Sequence, residues 1–134
     1  MSLIEKDRDA IVKYRIEKAK DLFAQIPVLM ENKFYATAAN RLYYACYHAV
    51  TALLIKDNHK THTHSGVKTL LGLHYLTQNK IEKSYGKMYN HLFNLRQSGD
   101  YEDLFEVDEE DVTPFLEPAE KFIAEIEKLI NTNL

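Results

Sequence analysis

The run Arg41-Leu-Tyr-Tyr-Ala-Cys-Tyr-His48 puts a fixed cation, three phenols and an imidazole into one short segment. On a helix, seven residues turn the chain by about 700°, so Arg41 and His48 point almost the same way, two turns apart. Tyr44 lies between them on a neighbouring line, and Tyr47 flanks His48. Arginine grips phosphate oxygens and imidazole moves protons near neutral pH, so the set suits phosphate chemistry. The plainer alternative makes the tyrosines amphipathic core residues and pairs Arg41 with an acid. A second segment, Leu92-Phe-Asn-Leu-Arg96-Gln-Ser-Gly-Asp100-Tyr101, places Arg96 in a last helical turn, where a cation complements the helix dipole. Asp100 would brace its guanidinium from beyond the cap, an arrangement equally suited to structural fixing and to phosphate binding.

Other chemistries find less support. His59, His62 and His64 share one loop, yet zinc needs a third or fourth ligand in defined geometry, and the loop reads as polar rather than metal-binding. The four glycines are scattered, so no phosphate-cradling glycine loop exists. Cys46, the single cysteine, sits on an apolar helical face where burial makes a thiol inert. No metal and no cofactor are expected.

The elements that must position these residues are helices. Val12, Ile16, Ala19, Phe23, Ile26 and Met30 step by three and four, and Pro27 should kink or stop that first helix. A second helix spans about Lys33 to Ile55, with Ala38, Leu42, Ala45, Cys46, Ala49 and Leu53 as a tight face. A polar loop from Asp57 to His64 follows. Ser65 reads as the N-cap of a short third helix carrying Val67, Leu70, Leu71 and His74. Ile81, Tyr85, Met88, Leu92 and Leu95 mark a fourth helix, ending near Gly99. The stretch from Asp100 to Asp111 reads as an acidic loop tethered by Leu104, Phe105 and Val107. Leu116, Ala119, Ile123, Ile126 and Ile130 line a last helix, of which Pro114 and Pro118 fit only the first turns. The 134 residues are thus read as one all-α domain, an antiparallel up-and-down bundle of four main helices plus a short one.

Charge is divided unevenly. Residues 1–96 hold 15 Lys and Arg against 8 Asp and Glu, while residues 97–134 hold 2 against 12. The acidic 100–111 segment reads first as a solvated loop, with a nucleic-acid mimic or a self-complementary contact as alternatives. No apolar run approaches the ~18 residues of a membrane span and the N-terminus is charged at once, so a cytoplasmic protein is expected.

Three blocks, Arg41 to His48, His64-Ser-Gly-Val67 and Leu95 to Tyr101, resemble in order and spacing the small stand-alone bacterial and archaeal HEPN proteins, over about residues 33–130. The resemblance implies a helical bundle that usually dimerises. Many HEPN proteins are metal-independent ribonucleases, often toxins, frequently encoded beside a minimal nucleotidyltransferase. Their signature is an Arg followed, after a short run, by a His that acts as acid and base while the Arg stabilises phosphate charge. Arg41 and His48 match with six intervening residues; no His follows Arg96 closely, and Asp100 and Tyr101 stand there instead. The resemblance therefore implies a nucleotide- or RNA-binding module working with a nucleotidyltransferase partner. A metal-independent endoribonuclease toxin of a toxin–antitoxin pair is the alternative, and a non-catalytic protein-interaction module the next. Candidate catalytic residues are His48, Arg96 and Arg41; candidate nucleotide- or RNA-binding residues are Tyr44, Tyr47, Asp100 and Tyr101. If the second and fourth helices run in parallel from a common level, His48 and Arg96 stand at one height. The expectation is then a shared pocket of His48, Arg96, Asp100 and Tyr101, walled by Tyr44 or Tyr47, beside the two-fold axis of a homodimer.

Overall fold

The computed structural model describes the backbone of residues 3–101 and 106–132. Its helices are α1 (Leu3–Ala24), α2 (Ile26–Glu31), α3 (Tyr35–Lys56), α4 (His64–Leu71), α5 (Lys83–Tyr101) and α6 (Glu109–Thr132), with a π-helical turn over Gly72–Leu76 directly after α4. No strand occurs among the described residues. Val12, Ile16, Ala19 and Ile26 are buried as their spacing predicts, and Phe23 and Met30 pack partly buried beside them. α1 stops at Ala24 and restarts as α2 because Pro27 lacks an N–H and crowds the preceding turn; a helix's first turn tolerates both defects.

Helix α3 is the axis of the molecule and packs against every other helix. Ala38, Ala45, Cys46, Ala49 and Ala52 are wholly buried, so neighbouring backbones come close without steric conflict. Its C-terminus closes with Asn58 in the left-handed region: the Asn58 N–H bonds the Ile55 carbonyl (3.1 Å) and the His59 N–H bonds that of Leu54 (2.8 Å). The same paired closure recurs at Lys33 and at Asn79.

Cross-helix contacts fix the directions. Arg8 reaches Asn58 (2.5 Å), Arg15 reaches His48 (3.0 Å) and Arg41 reaches Gln25 (3.0 Å), so numbers fall along α3 as they rise along α1–α2. Tyr85 lies against Phe122 and His91 against Phe115, which makes α5 and α6 antiparallel. Lys80, just before α5, lies beside Leu53 and Asp57, whereas Arg96 lies on Tyr43 and Tyr44. α5 therefore runs antiparallel to α3, and α1, α3, α5 and α6 form an up-and-down bundle. The parallel second and fourth helices expected from sequence are corrected by the polar loop. It travels back along α3, bringing His64 to the level of Tyr47, and α4 with its π turn climbs alongside α3 until Tyr75 donates to Asp57 (2.5 Å).

Several boundaries also move. The N-cap of α4 is Thr63, not Ser65: Thr63 Oγ1 accepts the Gly66 N–H at 2.9 Å. A Cβ on Gly66 would stand 2.0 Å from Thr61 Oγ1, so this close turn requires glycine. α5 continues through Gly99 to Tyr101, so Gly99 does not end it. The acidic stretch is not a continuous loop. Glu109, Glu110 and Asp111 form the first turn of α6, where carboxylates face the positive end of the helix dipole. Asp111 Oδ2 reaches back to the Asp108 N–H (2.8 Å), as in a capping box. This earlier start leaves Pro114 and Pro118 inside α6 rather than in its first turn. Val107 packs partly buried on the core; Leu104 and Phe105 lie outside the described residues. Among the described residues, no helix is long and apolar enough to cross a membrane.

Candidate functional site

Between Ala38 and Leu54, helix α3 is buried except at Asn40, Arg41, Tyr44, Tyr47, His48 and Thr51. These positions follow the three-and-four spacing of one helical stripe, so they form a single line of half-buried side chains. α1 borders the line on one side through Arg15, and α4 and α5 border it on the other through His64 and Arg96.

The densest part is a cation embedded in rings. Arg96 donates from its NH2 group to Tyr44 Oη (3.1 Å), and its guanidinium carbon stands 5.4 Å from the Tyr44 ring centre and 5.6 Å from that of Tyr43. Both separations are within cation–π range. Tyr43 is buried among Tyr44, Tyr47, Tyr89 and Phe93, and burial pushes its phenol up to about 12, so it stays protonated. Its hydroxyl meets His64 Nδ1 at 2.8 Å. The His64 ring stacks on Tyr47 with centres 4.4 Å apart and planes 25° from parallel. Burial first, and then the Arg96 charge, lower the His64 pKa below its usual 6.5, so the ring is neutral at pH 7.

Arg96 thus meets Tyr44 with Tyr47 close by, as expected, but not through the predicted height match. The antiparallel direction explains the result: the chain enters α5 from Lys80, beside Asp57 near the end of α3, and runs back along α3, so Arg96, late in α5, reaches Tyr44 in the first half of α3. His48 lies one turn beyond and turns to α1. Its Nδ1 accepts from the Arg15 guanidinium (3.0 Å), which places the ring proton on Nε2. Burial, followed by the Arg15 and Lys18 charges, lowers its pKa to about 4. A ring of this kind is a neutral acceptor at pH 7 and not a proton donor in acid form. Arg41 donates to Gln25 Oε1 (3.0 Å) and Asn40 Oδ1 (2.8 Å) instead of an acid, at the lower end of the stripe. The side chains of Asp100 and Tyr101 lie outside the described residues.

The imidazole that the structure brings to this cluster is His64, which was not among the candidate site residues. Spacing alone groups it with His59 and His62 in one loop, whereas the Thr63 cap immediately before it fixes its backbone and aims its ring at the tyrosines. His59 instead stacks on His74 (3.8 Å) at the other end of α3. Among the described residues, no three His, Cys, Asp or Glu side chains are placed to hold a metal. Burial raises the Cys46 thiol to about 12.

The fold is an up-and-down helical bundle in which Arg96 of α5 and His64 of α4 are set among the tyrosines of the central helix α3. Comparison with known proteins gives the family: the HEPN domain model matches residues 12–129, and the chain belongs to the HEPN domain family. It is 35% identical to a UPF0332 protein of Thermotoga maritima over 124 residues, 92% of this chain and 94% of the relative. It is 33% identical over 129 residues to a candidate toxin of Methanocaldococcus jannaschii, covering 96% of both. A second candidate toxin of that organism is 28% identical over 120 residues, 89% of this chain and 82% of the relative.

Proposed function

We propose that this chain is a nucleotide- or RNA-binding HEPN protein whose site is Arg96 with Tyr43, Tyr44, Tyr47 and His64. The observation that carries the reading is the guanidinium held over two tyrosine rings beside a stacked imidazole. Tyrosine and imidazole faces stack bases without regard to sequence, and guanidinium pairs with phosphate oxygens through several donors. The family's frequent pairing with a minimal nucleotidyltransferase makes such an enzyme the proposed partner, and a homodimer the proposed assembly. Fluorescence anisotropy with a labelled oligoribonucleotide tests the reading. Arg96→Met should abolish most of the binding while the circular dichroism spectrum stays that of the parent. Undiminished binding by that variant refutes the site.

A second reading is favoured by one observation: His64 is neutral and beside Arg96. In a metal-independent endoribonuclease, His64 would take the proton of a ribose 2′-hydroxyl. The 2′-oxygen would then attack phosphorus, the 5′-oxygen would leave and take a proton from water, His64 would return its proton to solvent, and Arg96 would stabilise the charge that builds on the phosphate. The products carry a 2′,3′-cyclic phosphate and a 5′-hydroxyl. Cleavage in excess chelator, abolished in His64→Ala, supports this activity; cleavage that requires magnesium removes it.

A further inference from the structure

The half-buried line on α3 extends well past the Arg96 cluster, and guanidiniums recur along it. Arg41 is at the lower end, Arg96 enters at Tyr44, and Arg15 enters at His48. At 1.5 Å per residue, Arg41 to Tyr44 rises about 4.5 Å and Tyr44 to His48 about 6 Å. Arg41 and Arg15 each donate to a neutral acceptor, an amide oxygen and an imidazole nitrogen respectively. The bond from Arg15 uses one of the five N–H donors that a guanidinium carries. Between these cations the surface is aromatic: Tyr44 is 5.9 Å from Tyr47, and Tyr47 is 5.7 Å from His48. Cations recurring along one line with rings between them suit the alternation of phosphates and bases along an extended single strand.

We propose that Arg41, Arg96 and Arg15 contact successive phosphates of a single-stranded RNA lying along α3, so that the ligand is an oligonucleotide and not a mononucleotide. Arg15 and His48 then form a subsite one nucleotide beyond Arg96, in which His48 positions the Arg15 guanidinium. This inference rests on the binding reading above and adds the length and direction of the ligand.

The test is anisotropy with uridine oligomers of increasing length, competed by uridine monophosphate, across a range of salt concentrations. Removing the charge that neutralises one phosphate should flatten the slope of log affinity against log salt by about 0.7. Arg15→Gln and Arg41→Gln should each weaken octamer binding about ten-fold and flatten the slope by that step, with uridine monophosphate binding unchanged. Arg15→Lys, which keeps the charge, should retain the parent slope, so a folding defect in the glutamine variant cannot imitate the result. If Arg96→Met abolishes binding while both glutamine variants match the parent in affinity and slope, the strand path is wrong and the Arg96 site stands. If Arg96→Met has no effect, the underlying reading fails instead. A change in oligomeric state on Arg15→Gln without loss of octamer affinity makes this stripe an interface between copies, and also overturns the proposal.

Discussion

Replacing His48 by Asn should flatten the acid limb of the stability profile. In the folded chain His48 accepts from Arg15 and its pKa lies at about 4, against an ordinary 6.5. As pH falls past 6.5, the unfolded chain takes up this proton while the folded chain refuses it until about pH 4. The unfolded state therefore binds more protons in that window, and stability declines as pH drops from about 7 to 4. The contribution is fully present above 6.5 and gone below 4. A displacement of this size corresponds to about 3 kcal/mol if fully expressed; with the ring half-exposed, solvent screening reduces it to roughly 1–2 kcal/mol. Asn offers Arg15 a neutral acceptor but has nothing to titrate. Urea unfolding followed by circular dichroism at closely spaced pH values should thus show a shallower decline for His48→Asn, whatever its offset at neutral pH. His59 and His64 titrate alike in both proteins and cancel in the comparison. Parallel profiles, or an imidazole resonance of His48 that titrates near 6.5 in the folded protein, would refute the Arg15–His48 geometry.

Lys33 occupies the left-handed region at φ 62°, so Lys33→Gly should raise stability by about 0.5–1 kcal/mol, measured as an upward shift of the urea midpoint. Thr63→Ala removes the cap of α4 and should cost about 1 kcal/mol. Because the cap also fixes His64, that variant should weaken ligand binding at temperatures where the chain remains folded. Ala49 has no exposed surface in the centre of α3, so Ala49→Leu should destabilise by about 1–3 kcal/mol through overpacking. A thermal midpoint equal to the parent's would show that the α3 core has room that the packing denies.

The helical stripes were readable because burial imposes its period on the sequence: Val12, Ile16 and Ala19 on α1, and Ala119, Ile123, Ile126 and Ile130 on α6, are all buried. Helix ends were less readable. Lys33 and Asn58 close helices in a conformation usually left to glycine, while Gly99, the residue type expected to stop α5, lies within it. The acids at 109–111 resembled a solvated loop because composition does not distinguish an exposed segment from a first turn that exploits the helix dipole. Arg96, Tyr44 and Tyr47 were legible as a group since their residue types suit one chemistry. The choice between His48 and His64 was not, because it depends on whether the return from α3 is made by a helix or by the extended loop. That is a property of the path of the chain, and spacing within a helix carries no trace of it.

Since α3 touches every other helix, its backbone amides open only when the bundle itself comes apart. Hydrogen exchange should therefore be slowest at Tyr44, Tyr47 and His48, close to the global unfolding limit. The eight-residue α4 that carries His64 has far less packing to lose and opens at a much lower free energy. On the binding reading proposed above, the floor of the site is then rigid before anything binds, and the conformational entropy lost on binding falls on the wall formed by α4. An exchange map of the bound protein would show that division directly, with new protection in α4 and none added along α3.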